Sequence, residues 1–382
     1  MKEVYLDNAA TTRVDSRVIE EVRKCMSINY GNASSIHKKG ENAKELLEYS
    51  RKIIASSINA LPEEIYFTSG GTESNNLAIK GLALKVYLGD RNKNHIITTK
   101  IEHDSVINVC ESLKKFGFQI TYLNVDKEGF IDYKELEESI TPNTLLVSII
   151  HGNNEIGTIQ DIQQIGDICR KKSVLFHIDA CQSFTKTLID VKRQNIDLIS
   201  LNAHKIHGPK GVGALFIKNG IKINPLFDGG GQERGLRSGT ENIPAIVGFA
   251  KAVQISSSHE ISKISKLRDK LIAGLEKIPG SKLNGPKGER RLCNNVNFIF
   301  KGVEGESIVG YLSEMGIYAS TGSACSSKSL KASHVLLSIG VKQEEAHGSL
   351  RLSLSKFTTE EEIRYAISSI TKVIKRLRDI SP

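Results

Sequence analysis

Three segments of the sequence carry residue types that can bind and activate a cofactor, and the first of them contains Lys205. In SLNAHKIHGPKG, residues 200–211, a strand-like apolar run ends just before this lysine, and a Gly-Pro turn follows. A lysine so close to a buried strand end should have a lowered pKa, which favours a nucleophilic amine that forms Schiff bases. The other interpretation is an ordinary surface lysine in a turn.

The second and third segments supply a carboxylate and a place for a phosphate group. Asp179, in HIDACQS, ends a β-branched apolar run, and a buried carboxylate is costly unless a cation or a donor pairs with it. An aspartate at this point equally serves as the N-cap of a following helix. In TSGGTES, residues 68–74, glycines and hydroxyls lie between a strand and a helix, a pattern that binds phosphate or makes a simple turn.

Together these groups indicate the chemistry of pyridoxal 5'-phosphate. A phosphate cradle, a carboxylate for the pyridine nitrogen and a Schiff-base lysine are the three groups that this cofactor needs. His103, just after ITTKIE, is then placed to stack on the cofactor ring, although a polar residue at a helix N-terminus is the alternative. The sequence therefore predicts a cofactor-dependent enzyme.

An open sheet would bring these segments to one edge. From residue 64 to about residue 218, short β-rich runs such as EIYFTS, HIITTK, TLLVSII and VLFHIDA alternate with amphipathic helical stretches. This alternation predicts an α/β fold with a mostly parallel sheet flanked by helices. Ligands bind beyond the carboxyl ends of the strands in such sheets, and the three segments follow strands.

The pattern changes after about residue 256, where a long polar helix precedes shorter strands and helices. We therefore expect a large cofactor-binding domain at residues 13–256 and a smaller α+β domain formed by residues 1–12 and 257–382. The opening VYLDNAATT is too short to be a domain, and we expect it to join the small domain or to cross the cleft.

Composition argues against several other classes of protein. The 382 residues carry a net charge of +9, but the basic residues form only local clusters, so no direct binding of nucleic acid is expected. No apolar run approaches the roughly 20 residues that span a bilayer, so no membrane association is expected. Six cysteines show neither CxxC pairs nor metal-ligand spacing, and the first residues do not resemble a secretory signal. We expect reduced thiols, no metal and a cytoplasmic location.

Motifs along nearly the whole chain resemble one family. They are YLDNAATT, FTSGGTESNNLAIKG, NNEIGTIQDI, HIDACQS, AHKIHGPKGVGAL, GGGQERGLRSGTEN, STGSACSS and RLSLSKFTTEEEI. In combination they make the sequence similar to the cysteine desulfurases of the IscS/NifS type, which are pyridoxal-phosphate enzymes of fold type I in the class V aminotransferase group. The resemblance implies that fold, with a small domain that carries a catalytic cysteine loop.

The resemblance also implies roles for individual residues. Lys205 would form the Schiff base, Asp179 would pair with the pyridine nitrogen, and His103 would act in stacking and acid–base catalysis. The other implied cofactor ligands are Gly71, Thr72, Asn154, Gln182, Asn202 and His204, together with Thr240 from a second subunit. Arg351 and Asn32 would bind the substrate, with the Arg351 guanidinium on its α-carboxylate.

The implied reaction converts L-cysteine to L-alanine and leaves a persulfide on Cys325. This thiol, in STGSACSS, has small polar neighbours, as a reactive and accessible cysteine should. The persulfide sulfur would pass to an acceptor protein for Fe–S cluster assembly or tRNA thiolation. The implied assembly is a homodimer.

Two departures from the family pattern and several alternatives stay open. Asn202, two residues before His204, stands where many relatives have serine, and Cys181 lies where threonine, valine or alanine is more common. The alternative enzymes are a selenocysteine lyase and another pyridoxal-phosphate lyase or aminotransferase, of which the aminotransferase has no need of Cys325. A basic interaction module is the alternative outside enzymes, but Lys205, Asp179 and Cys325 are all present.

Overall fold

A seven-stranded sheet dominates the computed structural model, which describes residues 3–89, 91–321 and 332–380. The strands of the described residues are β1 (Val4–Tyr5), β2 (Ile65–Thr68), β3 (His95–Thr99), β4 (Gln119–Leu123), β5 (Thr144–Ile150), β6 (Leu175–Asp179), β7 (Leu198–Asn202), β8 (Gly213–Ile217), β9 (Ser281–Leu283), β10 (Asn295–Phe300), β11 (Ile317–Tyr318) and β12 (Ser349–Ser353).

The helices lie between and after these strands. They are α1 (Ser16–Ser27), α2 (Lys38–Ser56), α3 (Gly71–Tyr87), α4 (Asp104–Lys114), α5 (Tyr133–Ser139), α6 (Ile162–Lys171), α7 (Ile243–Gln254), α8 (Ser258–Leu275), α9 (Gly305–Glu314), α10 (His334–Ser338), α11 (Gln343–Ala346) and α12 (Glu360–Ile380). Within the described ranges, none of them has the length and apolar character that crossing a membrane requires.

The large sheet has the order β2-β8-β7-β6-β5-β3-β4. The pairs β4–β3, β3–β5, β5–β6 and β6–β7 are parallel, whereas β8 is antiparallel to both of its neighbours, β7 and β2. The prediction of a mostly parallel sheet is confirmed. The antiparallel β8 was not predicted, because it follows β7 through a turn and not through a helix.

Both faces of the large sheet are covered by helices. Val147 and Ile199 belong to a core with residues of α1, α2, α6 and α7, whereas their neighbours Leu146 and Leu198 belong to a core with α3 and α4. Successive residues of a strand point to opposite faces, so a strand covered on both sides must be apolar throughout. All seven residues of β5, TLLVSII, are accordingly buried.

The other strands form two small sheets around a separate core. β10 lies between β12 and β9 in an antiparallel sheet, and β1 pairs with β11 in parallel. Residues of these strands pack with α8, α9 and α12, for example Val4 with Leu271, Leu312 and Ile370 in one buried cluster. This separate core supports the proposed division into residues 13–256 and residues 1–12 with 257–382, which stays a proposal.

The segment that follows β1 contacts both cores. Asp7 forms a β-bridge with Ser353, at the end of β12. A few residues later, Thr12 donates hydrogen bonds from its main-chain N (3.0 Å) and its Oγ1 (2.8 Å) to the carbonyl oxygen of His204. The short DNAATT segment therefore connects the second core to the turn that carries Lys205.

Candidate active site

The carboxyl ends of five strands of the large sheet lie along one edge. β2 runs in the same direction as β7, because both are antiparallel to β8. The residues at or just beyond the ends of β2, β3, β5, β6 and β7 are Gly71, His103, Asn154, Asp179 and Lys205. Five of the predicted site residues are therefore gathered where an open α/β sheet binds its ligands.

Lys205 is partly buried and its amine is held by backbone carbonyls of the DNAATT segment. Nζ donates to the oxygen of Ala9 and to the oxygen of Ala10, the latter at 2.8 Å. Burial, helped by the positive charge of Arg351, lowers the pKa of Lys205 to about 8. About one amine in ten is then uncharged at pH 7, which makes Lys205 a far better nucleophile than an ordinary surface lysine.

Asp179 is buried at the end of β6, and two donors orient its carboxylate. Oδ2 accepts from Asn75 Nδ2 at 2.8 Å, and Oδ1 accepts from the main-chain N of Cys181 at 2.9 Å. A turn, not an α-helix, follows Asp179, so the N-cap alternative does not hold. Each carboxylate oxygen keeps a second acceptor position, which leaves room for one more donor from a ligand.

His103 is the N-cap of α4, so the alternative prediction of a polar residue at a helix N-terminus is confirmed. Its Nδ1 accepts from the main-chain N of Ser105 at 3.1 Å and lies 2.8 Å from Ser105 Oγ. Ser105 Oγ in turn accepts from Asn75 Nδ2 at 2.8 Å. Asn75 and Ser105 were not predicted as site residues. Asn75 lies within the motif FTSGGTESNNLAIKG, but the motif does not show that its side chain acts by contacting other side chains.

A buried glutamate fixes the backbone just before His103. Glu102 Oε1 accepts from Thr99 Oγ1 at 2.7 Å and from the main-chain N of Ile150 at 2.8 Å. Burial raises the pKa of Glu102 to about 8, so this carboxyl group is mostly protonated at neutral pH. The contacts join the ends of β3 and β5 and thereby hold His103 and Asn154 on adjacent strand ends.

The space at the start of α3 fits the phosphate end of the predicted cofactor. A Cβ atom on Gly71 would lie 2.3 Å from Cys181 Sγ and 3.4 Å from Asn202 Nδ2, so only glycine leaves this cradle open. Asn202 is buried, and its Oδ1 has no hydrogen-bond partner among the described residues. The Asn202 Nδ2 group on the Gly71 side and the free N–H groups of the helix N-terminus can donate hydrogen bonds to an anion, whereas Asn202 Oδ1 can only accept them.

Three further predicted ligands lie on neighbouring segments. His204 Nδ1 lies 3.2 Å from Thr11 Oγ1, and burial lowers the pKa of His204 to about 4, so its ring is neutral. Gln182 Nε2 donates to the Ala9 oxygen at 2.9 Å, the same carbonyl that accepts from Lys205. Thr72 is exposed and lines a cavity of about 330 Å³ together with His103.

Arg351 reaches the site from the second core. It lies in the middle of β12 with 3% of its surface exposed, and its Nη2 is 3.0 Å from Asp7 Oδ1. Its Nη1 donates to the main-chain oxygen of Asn154 at 3.3 Å. Asp7 was not predicted as a site residue. It lies 344 positions away from its partner in the chain, so only the fold could reveal the pair.

Two predicted residues among those that the structure describes are not joined to this group. Asn32 is exposed and its Oδ1 accepts from the main-chain N of Ser34 at 2.9 Å, an interaction that shapes its own turn. Thr240 is exposed at the end of a loop, and no hydrogen bond links it to the other predicted residues in the part of the chain that the structure describes. Cys325 lies outside the described residues.

The five described cysteines are free thiols, and burial raises the pKa of each. The shift takes Cys110 and Cys169 to about 12, and the Asp179 charge adds to the burial effect at Cys181. None of these five thiols is therefore suited to act as a thiolate at neutral pH. The described residues also contain no group of three or more His, Cys, Asp or Glu side chains that could hold a metal ion.

Comparisons with known proteins show the family of this chain. The family described as Aminotransferase class-V matches residues 4–365. Cysteine desulfurase IscS of Clostridium botulinum is 50% identical over all of this chain and 96% of its own length. The IscS of Methanosarcina thermophila is 49% identical over all of this chain and 94% of its own length.

Solved structures give the same result. A NifS-like protein has a TM-score of 0.91 and 39% identity, with 98% of this chain and 100% of that one covered. SspA in complex with cysteine has a TM-score of 0.84 and 40% identity over 93% of this chain and 100% of that one. With the mostly parallel sheet and the strand-end lysine in place, this chain belongs to the class-V aminotransferase family and, within it, to the cysteine desulfurases of the IscS/NifS type.

Proposed function

We propose that this chain is a pyridoxal 5'-phosphate-dependent cysteine desulfurase, which converts L-cysteine to L-alanine and transfers the sulfur atom to Cys325 as a persulfide. The observation that carries the proposal is the arrangement at the strand ends. Lys205 has a lowered pKa, the buried carboxylate of Asp179 ends the adjacent strand, and the charge of the buried Arg351 guanidinium acts on the lysine. Relatives that are about half identical over the full chain are named cysteine desulfurase, which supports the same reaction.

The residues at the strand ends have the chemistry that each part of the cofactor requires. Lys205 would hold its aldehyde, Asp179 its pyridine nitrogen, and the cradle of Gly71 and Asn202 its phosphate. When bound, pyridoxal phosphate supplies an electron sink that stabilises negative charge at the substrate Cα. Lys205 would be the base that removes the proton from Cα, because about a tenth of its amine is uncharged at pH 7.

Arg351 is the group that would bind and orient the substrate α-carboxylate. Its planar guanidinium can donate two parallel hydrogen bonds to a carboxylate. In the described structure Asp7 Oδ1 and the Asn154 oxygen occupy part of this donor set, which holds the buried cation in place before substrate arrives. The bound amino acid then shares the guanidinium with Asp7 or displaces it.

Cys325 would receive the sulfur atom. Its thiolate attacks the substrate sulfur, the S–S bond forms as the Cβ–S bond breaks, and L-cysteine plus the enzyme thiol become L-alanine plus the enzyme persulfide. Thr321 and Ser333, the described residues that flank the segment containing Cys325, each form a hydrogen bond close to predicted site residues. Thr321 O accepts from Ser349 Oγ at 2.9 Å on the Arg351 strand, and Ser333 Oγ donates to Glu155 Oε2 at 2.6 Å beside Asn154.

The partners and the assembly are part of the proposal. An acceptor protein for Fe–S cluster assembly or tRNA thiolation would take the persulfide sulfur in the cytoplasm, where thiols stay reduced. We also propose a homodimer in which Thr240 completes the partner's cofactor site. Large exposed apolar side chains, such as Ile36 (97%) and Tyr30 (68%), support an interface. Sedimentation should give twice the 42.0 kDa chain mass, and a monomer would contradict the dimer.

The reaction itself is tested with the purified protein, added pyridoxal phosphate and L-cysteine in the presence of a reducing thiol. We expect alanine and sulfide in equal amounts. A keto acid formed without sulfide would indicate an aminotransferase, and turnover of L-selenocysteine without turnover of L-cysteine would indicate a selenocysteine lyase. Formation of neither product would rule out the proposed function.

Replacement of Arg351 by lysine should raise the KM for L-cysteine about 10- to 100-fold, with a smaller effect on kcat. A lysine keeps the charge but loses the two-pronged contact with a carboxylate, and hydrogen bonds to charged groups are worth about 1.5–3 kcal/mol. Steady-state kinetics measure the effect. The matched control is Arg290→Lys, an exposed arginine whose Nη2 contacts Glu128 Oε2 at 2.9 Å. An unchanged KM in Arg351→Lys would remove Arg351 from substrate binding.

A further inference from the structure

A continuous chain of hydrogen bonds joins Asp179 to His103 through two residues that the family motifs do not assign to the site. Asn75 Nδ2 donates to Asp179 Oδ2 and to Ser105 Oγ, both at 2.8 Å, and Ser105 Oγ lies 2.8 Å from His103 Nδ1. Asn75 and Ser105 are buried. The chain therefore connects the carboxylate at the end of β6 with the histidine at the start of α4 without solvent in between.

The direction of each hydrogen bond follows from the groups themselves. A carboxylate only accepts, so the Asn75 atom beside Asp179 must be the NH2 group, and the same group donates to Ser105 Oγ. Asn75 Oδ1 is buried without a partner among the described residues, so the two hydrogen bonds that the Nδ2 group donates fix the orientation of this amide. Ser105 Oγ thus uses an acceptor position for Asn75, and its own hydrogen is available for His103.

His103 Nδ1 is consequently an acceptor. The main-chain N–H of Ser105, which can only donate, points to Nδ1 at 3.1 Å, and the Ser105 hydroxyl is the second donor at 2.8 Å. A ring nitrogen that accepts from an N–H group carries no proton, so the proton of the neutral ring is on Nε2. Protonation of Nδ1 would require both donors to turn away or separate.

We propose that Ser105, oriented by Asn75, is a positioning residue that fixes His103 as the Nε2–H tautomer and opposes protonation of its Nδ1. His103 then meets a reacting group as a hydrogen-bond donor at Nε2, while removal of the α-proton falls to Lys205. The inference deepens the proposed desulfurase function and rests on it for the role of His103, but the tautomer itself does not depend on the reaction.

The first test is an NMR measurement on the holoenzyme labelled with ¹⁵N-histidine, with the His103 signals assigned by their loss in His103→Gln. Bare and protonated ring nitrogens have well separated ¹⁵N shifts. We expect Nδ1 to show the shift of a bare nitrogen and Nε2 that of an N–H group. A protonated Nδ1 in the neutral ring would overturn the proposal without any variant being made.

The second test compares Ser105→Ala with Ser112→Ala, a serine of the same helix whose Oγ donates to the Val109 oxygen at 2.8 Å. In Ser105→Ala the two His103 ring nitrogens should move towards an average of both tautomers. The acid limb of the kcat profile should move up by about half a pH unit to one unit, since one hydrogen bond is lost. KM should change less than twofold, and Ser112→Ala should match the wild type.

Several titratable groups surround His103 and are unchanged by either substitution. Glu102 precedes His103 in the chain, and Lys80 and Asp104 line the cavity that His103 also lines. Asp179 is connected to His103 through Asn75 and Ser105, and His334 Nε2 donates to the main-chain oxygen of Glu102 at 2.9 Å. A shift found only in Ser105→Ala therefore belongs to the lost hydroxyl. Equal loss of activity at every pH, with the tautomer unchanged, would reduce Ser105 to a packing residue. If the protein lacks desulfurase activity but His103 is the Nε2–H tautomer, the proposed function is contradicted and the inference about the tautomer is not.

Discussion

Lys205→Ala should lower the turnover of L-cysteine by at least about a thousandfold and should abolish the covalent attachment of the cofactor. The reason is the position of the amine just beyond the end of β7. Burial lowers its pKa to about 8, and hydrogen bonds to the Ala9 and Ala10 carbonyl oxygens hold it in place. Alanine supplies neither a nucleophile nor a base. The visible absorption band of the holoenzyme and its kcat are the two measurements.

Lys186 offers a matched control for this variant. It is another partly buried lysine of the same region, its Nζ donates to the Gln182 oxygen at 2.7 Å, and burial lowers its pKa to about 8 as well. Lys186→Met should keep the visible band. A band that survives in Lys205→Ala and disappears in Lys186→Met would show that Lys186, and not Lys205, binds the cofactor.

The pKa of Lys205 also predicts how the apoprotein binds its cofactor. Only the uncharged amine attacks an aldehyde, so the rate of covalent binding should rise about tenfold per pH unit below pH 8 and level off above it. An ordinary lysine would level off only near pH 10.5. Stopped-flow absorbance at several pH values measures this rate, and a continued rise well beyond pH 9 would contradict a lowered pKa.

Cys325→Ser should eliminate persulfide formation and reduce sulfide release by at least about a thousandfold, because a serine hydroxyl cannot accept a sulfur atom under these conditions. The variant should still bind L-cysteine and change the visible spectrum on mixing, since Lys205 and Arg351 are retained. Mass spectrometry of the protein after mixing with L-cysteine should show one added sulfur atom in the wild type and none in the variant.

Cys181→Ala is the control, as Cys181 is the described thiol next to Asp179. Burial raises the pKa of Cys181 well above its usual value, so it should not compete as a nucleophile. The added sulfur atom should still be found on Cys325 in this variant. A persulfide that is lost in Cys181→Ala but present in Cys325→Ser would show that Cys181, and not Cys325, accepts the sulfur atom.

Much of the fold and part of the site were predictable because they depend on short-range patterns. Apolar strands alternating with amphipathic helices require a sheet covered on both faces, and β5 shows the result in seven consecutive buried residues. The carboxyl ends of parallel strands must meet at one edge, so the sequence alone predicts that Asp179 and Lys205 are neighbours. Their chemistry follows from residue type.

The supporting contacts were not predictable in the same way. Asn75 and Ser105 are an ordinary asparagine and serine in helical segments, and only the packing of α3 beside α4 brings their side chains between Asp179 and His103. Asp7 meets Arg351 across 344 residues. The Ala9 and Ala10 carbonyls contribute through the backbone, to which the side-chain sequence gives no direct signal.

The sequence by itself determined the family, the class of fold and the identity of the reactive groups, because these depend on motifs and periodicities within single segments. The tertiary structure decided the ionisation and orientation of those groups. The lowered pKa of Lys205 comes first from burial, which exists only when separate segments pack together. The tautomer of His103 likewise depends on donors whose positions are set by the packing of α3 on α4.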